Sequence, residues 1–259
     1  MNASRLRLQP RQLLGAGTIA FLLLAVEAFV RAGAVNAAIV PPPSVVVQRL
    51  AGILAAGGFL EPLGKTLYLL FVSYIIGCAI AVGMGLLMGR YRWVDGLLEP
   101  LVEFLRPLPK PALLPPLMLF LGLGDAMKMT VIALGVFFPV LINTVQGVRG
   151  TDPVLLDVGR TFGHKPSAAL YKIVLPSALP LILAGMRVSL GLGLVLVIVA
   201  EMMAGTGGIG FLVIDMQRSF RSADMYAWIV ILAMVGYALN TAFVRLERRL
   251  IHWSLSTTE

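Results

Sequence analysis

The residues of this chain best suited to chemistry are ionisable side chains inside long apolar stretches. Four of them, Glu99, Glu103, Arg106 and Lys110, are spaced 4, 3 and 4 residues apart. On an uninterrupted helix this spacing places them on one face. Because charged groups are costly in hydrocarbon, such a stripe is typical of a polar pathway across a membrane. The alternative is internal ion pairing, with Arg and Lys extending to the cytoplasmic surface.

Three further ionisable residues lie within apolar stretches. Arg187 and Glu201 are 14 residues apart, about 21 Å along one helix, so they cannot pair within it. We expect Arg187 near the cytoplasmic start of its helix and Glu201 at the outer end, helping to shape an outer gate. Glu27 is expected to be a hydrogen-bonding residue and not a proton carrier.

The chain has few residues of the types that enzymes use for nucleophilic or metal-dependent catalysis. Cys78 is the single cysteine, and His164 and His252 are far apart in sequence. No intrachain disulfide or cysteine-based zinc site is expected, and no metal site or catalytic residue is predicted.

Two glycine motifs resemble nucleotide-binding loops. Residues 205–210 read Gly-Thr-Gly-Gly-Ile-Gly, but they follow a predicted membrane helix and not a strand, so a turn is expected. Gly64-Lys65-Thr66 lacks the required glycine at position 59, where Phe59 stands. The chain is therefore expected to have no ATP site of its own.

The composition indicates a membrane protein. Hydrophobic residues make up 58% of the 259 positions and charged residues 13%, against roughly 45–50% and 25% in soluble domains. The mean hydropathy is +0.90 and the pI about 10.1. The formal charge of +8 could indicate nucleic acid binding, but the charges cluster at the ends of apolar runs. Lipid is therefore the predicted environment, and no nucleic acid partner is expected.

A membrane-spanning helix needs about 20 apolar residues. Six segments qualify, at about 13–30, 67–88, 97–123, 129–148, 179–203 and 226–244. The third contains six prolines, so it is expected to be kinked or broken and to need support from neighbouring helices. The second and fifth carry small residues at four-residue intervals, including Gly77, Gly85, Gly185 and Gly193, which favour close helix packing.

The positive charges fix the predicted orientation. Lys and Arg are about twice as frequent on one set of flanks, which includes Arg5, Arg7, Arg90, Arg92 and Arg248. The positive-inside rule then places both termini in the cytoplasm, in agreement with an even number of spans. A cleaved signal peptide is the alternative for the first segment, but an uncleaved span is needed to keep Arg90 inside. In the following outer loop, Ser44 is expected to cap a short helix that Gly57 ends.

The cytoplasmic segment 151–176, called the elbow below, encodes two short helices. Asp152 is a good N-cap, with Pro153 at the first helical position. Gly163 supplies the left-handed residue that ends the first helix. Pro166 opens the second helix, and Pro176 is expected to break it before the fifth span. Exposed apolar residues, among them Phe162 and Tyr171, would allow the elbow to dock a partner.

The elbow resembles the EAA loop of binding-protein-dependent ABC transporter permeases. That pattern is Glu-Ala-Ala, three residues, Gly, nine residues, Ile, one residue and Leu-Pro. Here Gly163, Ile173 and Leu175-Pro176 keep the spacing, whereas Asp157-Val158-Gly159 replaces the usual triplet. The resemblance covers nearly the whole chain and is greatest to the nitrate, sulfonate and taurine branch. Its other matching stretches include Glu99–Pro115, Gly122–Gly124, Ala184–Arg187, and Ala200-Glu201 followed by Gly208–Leu212.

The resemblance implies a single permease domain (1–259) with the all-α fold of type I ABC importers. It implies that the elbow couples to an ATPase through Asp157, Val158, Gly159, Arg160, Phe162, Gly163, His164, Ile173, Leu175 and Pro176. The implied partners are a second permease copy, two cytoplasmic ATPases holding ATP and Mg, and a periplasmic binding protein. The implied setting is a bacterial inner membrane.

The implied function is import of a small, anionic solute, such as a sulfonate, taurine or nitrate, by alternating access. The competing classes are a self-sufficient secondary transporter, which favours an inverted repeat that is not evident here, and an intramembrane enzyme. For the solute, a different small organic molecule is the alternative.

Overall fold

The computed structural model describes residues 10–251, and no strand occurs within that range. The predicted all-helical fold is therefore confirmed. The helices are α1 (Pro10–Arg31), α2 (Pro43–Ala55), α3 (Leu60–Arg90), α4 (Arg92–Leu105), α5 (Leu114–Leu121), α6 (Asp125–Arg149), α7 (Pro153–Thr161), α8 (Pro166–Ala169), α9 (Leu175–Ala204), α10 (Ile209–Arg218) and α11 (Ser222–Leu250). Arg5, Arg7 and His252 lie outside the described residues.

The chain divides into two compact units. Of the described residues, one contains 10–59 together with 212–231, and the other contains 60–211 together with 232–251. The second unit carries the elbow and all six pathway candidates. The single permease domain expected from the resemblance stays a prediction.

Four helices of the described chain are long and apolar enough to cross a membrane: Leu60–Arg90, Asp125–Arg149, Pro166–Ala204 and Ser222–Leu250. They contain the second, fourth, fifth and sixth predicted spans, and α1 covers the first. Each is longer than predicted because polar end turns are also helical. In the first two turns of α3, for example, the Lys65 ammonium lies 2.8 Å from the Glu61 carboxylate. The count of six spans stays a prediction.

The third predicted span is interrupted, as its prolines indicate. α4 ends at Leu105, a 3-10 turn follows at Lys110–Leu113, and α5 occupies Leu114–Leu121. Pro107 and Pro109 fall between α4 and the 3-10 turn, where their missing amide donors disrupt no helical hydrogen bond.

In the first unit, a carboxylate from α1 holds the start of α2. Glu27 accepts hydrogen bonds from the Ser44 amide at 3.0 Å and from the Ser44 hydroxyl at 2.7 Å. It also accepts from Arg31 Nε at 2.6 Å, so it has the hydrogen-bonding role expected of it. The prediction that Ser44 caps α2 is wrong. Pro42 is the N-cap residue, and Glu27 binds the free amide because a carboxylate is favoured at a helix N-terminus.

In the second unit, glycines let α3, α6 and α9 pack closely. A Cβ atom added at Gly85 would lie 2.6 Å from Thr144 Cβ of α6, and one at Gly77 would lie 2.8 Å from the Ala133 carbonyl oxygen. On α9, a Cβ at Gly185 would lie 2.7 Å from Asn143 Cβ. Since apolar surface gains little by leaving lipid, this close approach supplies the packing that holds the helices together.

A matched pair of glycines on α3 tests this packing. Gly83 faces open space, with nothing within 4 Å of an added Cβ, whereas Gly85 faces Thr144. We expect Gly85→Val to destabilise the chain by about 1–3 kcal/mol through overpacking and Gly83→Val to have a much smaller effect. Thermal unfolding of the purified chain in detergent measures both. Equal midpoints for the two variants would contradict the packing scheme.

Candidate functional site

The first half of the elbow folds as its helix-capping residues predict. The Asp152 carboxylate accepts a hydrogen bond from the Val154 amide at 2.8 Å, and Pro153 occupies the first helical position of α7. Gly163 has a φ of +71°, and the His164 amide donates to the Gly159 carbonyl at 3.0 Å. The left-handed residue therefore closes α7 and reverses the chain.

The second half differs from the prediction at Pro176. We expected a helix break there, but the chain is helical from Pro166 to Ala204. A π-helical segment at Leu170–Val174 precedes the proline, and the Leu175 amide donates to the Leu170 carbonyl, five residues back. A proline ring clashes with the carbonyl four residues earlier in a regular α-helix. The wider π turn accommodates Pro176 in the first turn of α9, so the helix continues past the proline without ending.

The two halves of the elbow meet at the Asp157-Val158-Gly159 triplet. A Cβ atom at Gly159 would lie 2.5 Å from Ile173 Cδ1 and 3.8 Å from His164 Cδ2. Here Ile173 occupies the space of the methyl group that alanine, usual at position 159, would provide. A surface cavity of about 480 Å³ adjoins this contact, and its lining includes six of the predicted coupling residues: Val158, Gly159, Phe162, His164, Ile173 and Pro176.

The elbow presents apolar and charged groups to its surroundings. Phe162 is 78% exposed and Tyr171 is 68% exposed, although both are large hydrophobic side chains. Asp157 and Arg160 form an exposed ion pair, 2.9 Å apart, on α7. Solvent-exposed aromatic side chains of this size are typical of a protein interface.

A buried cluster joins the elbow to the transmembrane helices. Val148 of α6 packs with Val174, Ala178 and Ile182, and the side chains of Leu156, Leu170 and Leu175 pack against them. The predicted coupling residue Leu175 thus faces inward and anchors the elbow, whereas Phe162 faces outward.

The structure separates the predicted polar stripe of the third span. Glu99, Glu103 and Arg106 lie on α4 or at its end and are exposed, with Glu103 and Arg106 3.7 Å apart. Lys110 is not on the same helix, so the four residues do not share one helical face. Its ammonium instead donates to the carbonyls of Leu105, Arg106 and Leu108 at 2.8, 3.1 and 3.0 Å.

Arg187 and Glu201 each have a partner that the sequence did not reveal. Arg187 of α9 pairs with Glu247 of α11, which lies beyond the predicted end of the sixth span. Glu201 is fully buried and accepts hydrogen bonds from the Thr66 hydroxyl at 2.9 Å and the Gly210 amide at 2.8 Å. The Thr66 oxygen in turn accepts from the Ile209 amide at 2.9 Å.

The glycine-rich segment before α10 forms a turn, as expected, and encloses this carboxylate. Gly208 has a φ of +96°, and a Cβ there would lie 2.2 Å from Glu201 Oε1. A Cβ at Gly210 would lie 2.8 Å from Glu201 Cβ. The glycines therefore leave room for an anion, but the anion is the chain's own Glu201. The only sequence signal for Thr66 was a motif that did not qualify as a phosphate loop.

The helical fold of the described chain, with its exposed elbow, is that of type I ABC importer permeases. The family of binding-protein-dependent transport system inner membrane components matches residues 77–252. The chain belongs to this family. It is thus a multi-pass membrane permease component and not an enzyme, with ATP hydrolysis on separate subunits. Membership implies ATPase and binding-protein partners and a dimeric arrangement.

Relatives and a solved structure agree with this assignment. The chain is 35% identical over 222 residues to the putative aliphatic sulfonates transport permease protein SsuC of Bacillus subtilis, covering 85% of this chain and 80% of SsuC. It is 29% identical over 245 residues to the taurine transport system permease protein TauC of Escherichia coli, covering 93% and 89%. An inward-facing structure of the MetNI methionine ABC transporter has a TM-score of 0.61 at 20% identity, covering 74% of this chain and 95% of that chain.

The buried Glu201 gives a stability prediction. We expect Glu201→Ala to lower the thermal midpoint in detergent strongly, because the Thr66 hydroxyl and the Gly210 amide lose their acceptor, at about 1–3 kcal/mol for each buried group. Glu61→Ala is the matched control, since the Glu61 side chain is 79% exposed and its surface ion pair contributes little. Similar midpoints for the two variants would contradict the role of Glu201.

Proposed function

We propose that this chain is the transmembrane subunit of an ATP-driven importer for a small, anionic solute. Two copies form the pathway, two cytoplasmic ATPases bind ATP and Mg, and a periplasmic binding protein delivers the solute. The single observation that carries this proposal is the elbow, in which an interface-like surface with exposed Phe162 is fixed to α9.

The proposed mechanism is alternating access. ATP-bound ATPases favour an outward-facing arrangement that accepts solute, and hydrolysis returns the permease to an inward-facing one. An equilibrium between two arrangements shifts only if the ATPase interacts differently with each. The elbow is the surface where that difference acts, and its packing against α6 and α9 supports its role as a rigid lever.

The orientation and location are part of the proposal. The distribution of Lys and Arg supports cytoplasmic termini and a cytoplasmic elbow. The inner membrane of a bacterium is the proposed location. Glu99, Glu103, Arg106, Lys110, Arg187 and Glu201 remain the pathway candidates, with Glu201 acting from within the protein because it is buried.

The solute class has two supports. The names of SsuC and TauC refer to aliphatic sulfonates and to taurine, which are organic anions or carry an anionic group. In this chain, Arg106 and Lys110 place positive charge near the interruption of the third predicted span. A sulfonate-like or other small oxyanion fits that charge better than a cation does.

Reconstitution tests the proposal directly. Proteoliposomes containing the permease, its ATPase and the binding protein should take up radiolabelled taurine or an alkanesulfonate only when ATP is present at the ATPase. The chain without the ATPase should show no uptake. Uptake by the chain alone, driven by a sodium or proton gradient, would instead identify a secondary transporter.

The proposed role of the elbow as a rigid lever gives a further prediction, at Gly163. Valine resists the positive φ of this position, so Gly163→Val should reduce ATP-driven uptake at least about tenfold while membrane insertion persists. Asparagine tolerates left-handed backbone, so Gly163→Asn should retain most uptake. Gly57→Val is the matched control, because Gly57 also has a positive φ, +68°, but lies outside the elbow. Normal uptake by Gly163→Val would contradict the lever.

A further inference from the structure

A cavity of about 380 Å³ lies beside the interruption of the third predicted span. Its polar lining comes from Arg106, Lys110 and Asn143, and its apolar lining includes Phe138, Ile142 and Leu192. The cavity is therefore bounded by the end of α4, the 3-10 turn, α6 and α9.

Lys110 supplies a fixed positive charge to this cavity. Its three ammonium hydrogens are directed at three backbone carbonyls within 3.1 Å, and its nitrogen lies 4.3 Å from the centroid of the Phe138 ring. An ammonium has three donors, so all are used. Lys110 consequently acts on a ligand through its charge and not through a direct hydrogen bond.

Arg106 and Asn143 supply the donors. The Arg106 guanidinium has five N–H groups, and its nearest carboxylate, Glu103, is 3.7 Å away, beyond hydrogen-bond distance. Asn143 Nδ2 donates one hydrogen to the Pro139 carbonyl at 2.8 Å, which leaves its second hydrogen for a ligand. An arginine fork is well suited to two oxygens of a sulfonate or carboxylate.

The lining carries two cations and no carboxylate. Among the described residues, no carboxylate lies within 4 Å of the Lys110 ammonium. Its hydrogen-bond partners there are the three backbone carbonyls. Lys110 is only partly exposed, and an unneutralised charge attracts an ion of opposite sign more strongly where its contact with water is reduced. The cavity therefore favours an anion. Its volume and apolar wall also leave room for a short alkyl chain.

We infer that this cavity binds the anionic group of a short-chain organic oxyanion, with Arg106 and Asn143 as donors, Lys110 as the fixed charge and Phe138 and Leu192 against the alkyl chain. This inference rests on the proposed function, because the ligand is the transported solute. It adds a place where the permease itself recognises the solute after the binding protein releases it.

Binding of 1-propanesulfonate to the permease–ATPase complex tests the inference. The binding protein is omitted, so that it contributes no binding of its own, and the thermal midpoint of the complex is measured against probe concentration. We expect a saturable rise with 1-propanesulfonate and none with methyl propyl sulfone, its uncharged analogue. Absence of the rise, or an equal rise with the sulfone, would overturn the inference.

Variants locate the site. Arg106→Gln should weaken the apparent binding about tenfold or more, as expected for the loss of a hydrogen bond to a charged group. Arg92→Gln makes the same change at the opposite, exposed end of α4 and should leave binding unchanged. Equal affinities for these two variants would overturn the inference.

Variants of Lys110 and Asn143 distinguish loss of binding from loss of folding. Lys110→Met removes the charge but also the partner of three carbonyls, whereas Lys110→Arg keeps the charge and should retain binding. Asn143→Ala should weaken binding without altering the charge. Binding unaffected by Asn143→Ala and by Arg106→Gln would exclude this cavity as the site.

ATP-driven uptake separates this inference from the proposed function. If the unsubstituted complex shows no ATP-dependent uptake of any anion, the proposed function fails. If it transports normally and Arg106→Gln leaves the KM for uptake unchanged, only the cavity assignment fails. A raised KM with unchanged ATPase activity in the absence of solute would support both.

Discussion

Backbone amides and carbonyls of a chain in hydrocarbon must find their partners within the protein, and this constraint explains most of the irregular features described here. Where α4 ends, Lys110 binds the free carbonyls. Where α10 begins, Glu201 and Thr66 bind the free amides. In each case an ionisable or hydroxyl side chain replaces the water that a soluble protein would use.

Ionisable side chains in the membrane segments consequently differ in role: some are bound within the protein, and others are exposed. Glu201 has no exposed surface, and its carboxylate accepts hydrogen bonds from Thr66 and Gly210 of the chain itself. Arg187 is paired with Glu247. Arg106 differs, because its guanidinium is exposed and has no carboxylate oxygen within hydrogen-bond distance. Charge within an apolar stretch is therefore a good indicator of function only after structural partners have been identified.

The sequence was sufficient where structure is determined locally. Apolar runs predicted the long helices, and Asp152, Pro153 and Gly163 predicted the limits of α7, because caps and left-handed glycines act over a few residues. It was insufficient for pairs that are distant along the chain. Thr66 and Glu201 are 135 residues apart, and no pattern in one sequence reports that they meet. The expected break at Pro176 also failed, since a single π turn satisfies the same constraint without ending the helix.

Because the helix is not broken at Pro176, a movement of the elbow would be transmitted directly to α9. A break there would have placed a flexible joint between the elbow and the fifth predicted span. Instead, the helix runs from Pro166 to Ala204, so a displacement at the exposed Tyr171, which lies on that helix, acts on a continuous rod. At the other end of that rod, Glu201 holds Thr66 of α3 and the first amides of α10. A rotation of the elbow would therefore move these contacts together with α9, which is the connection that the proposed alternating access needs between its two sides.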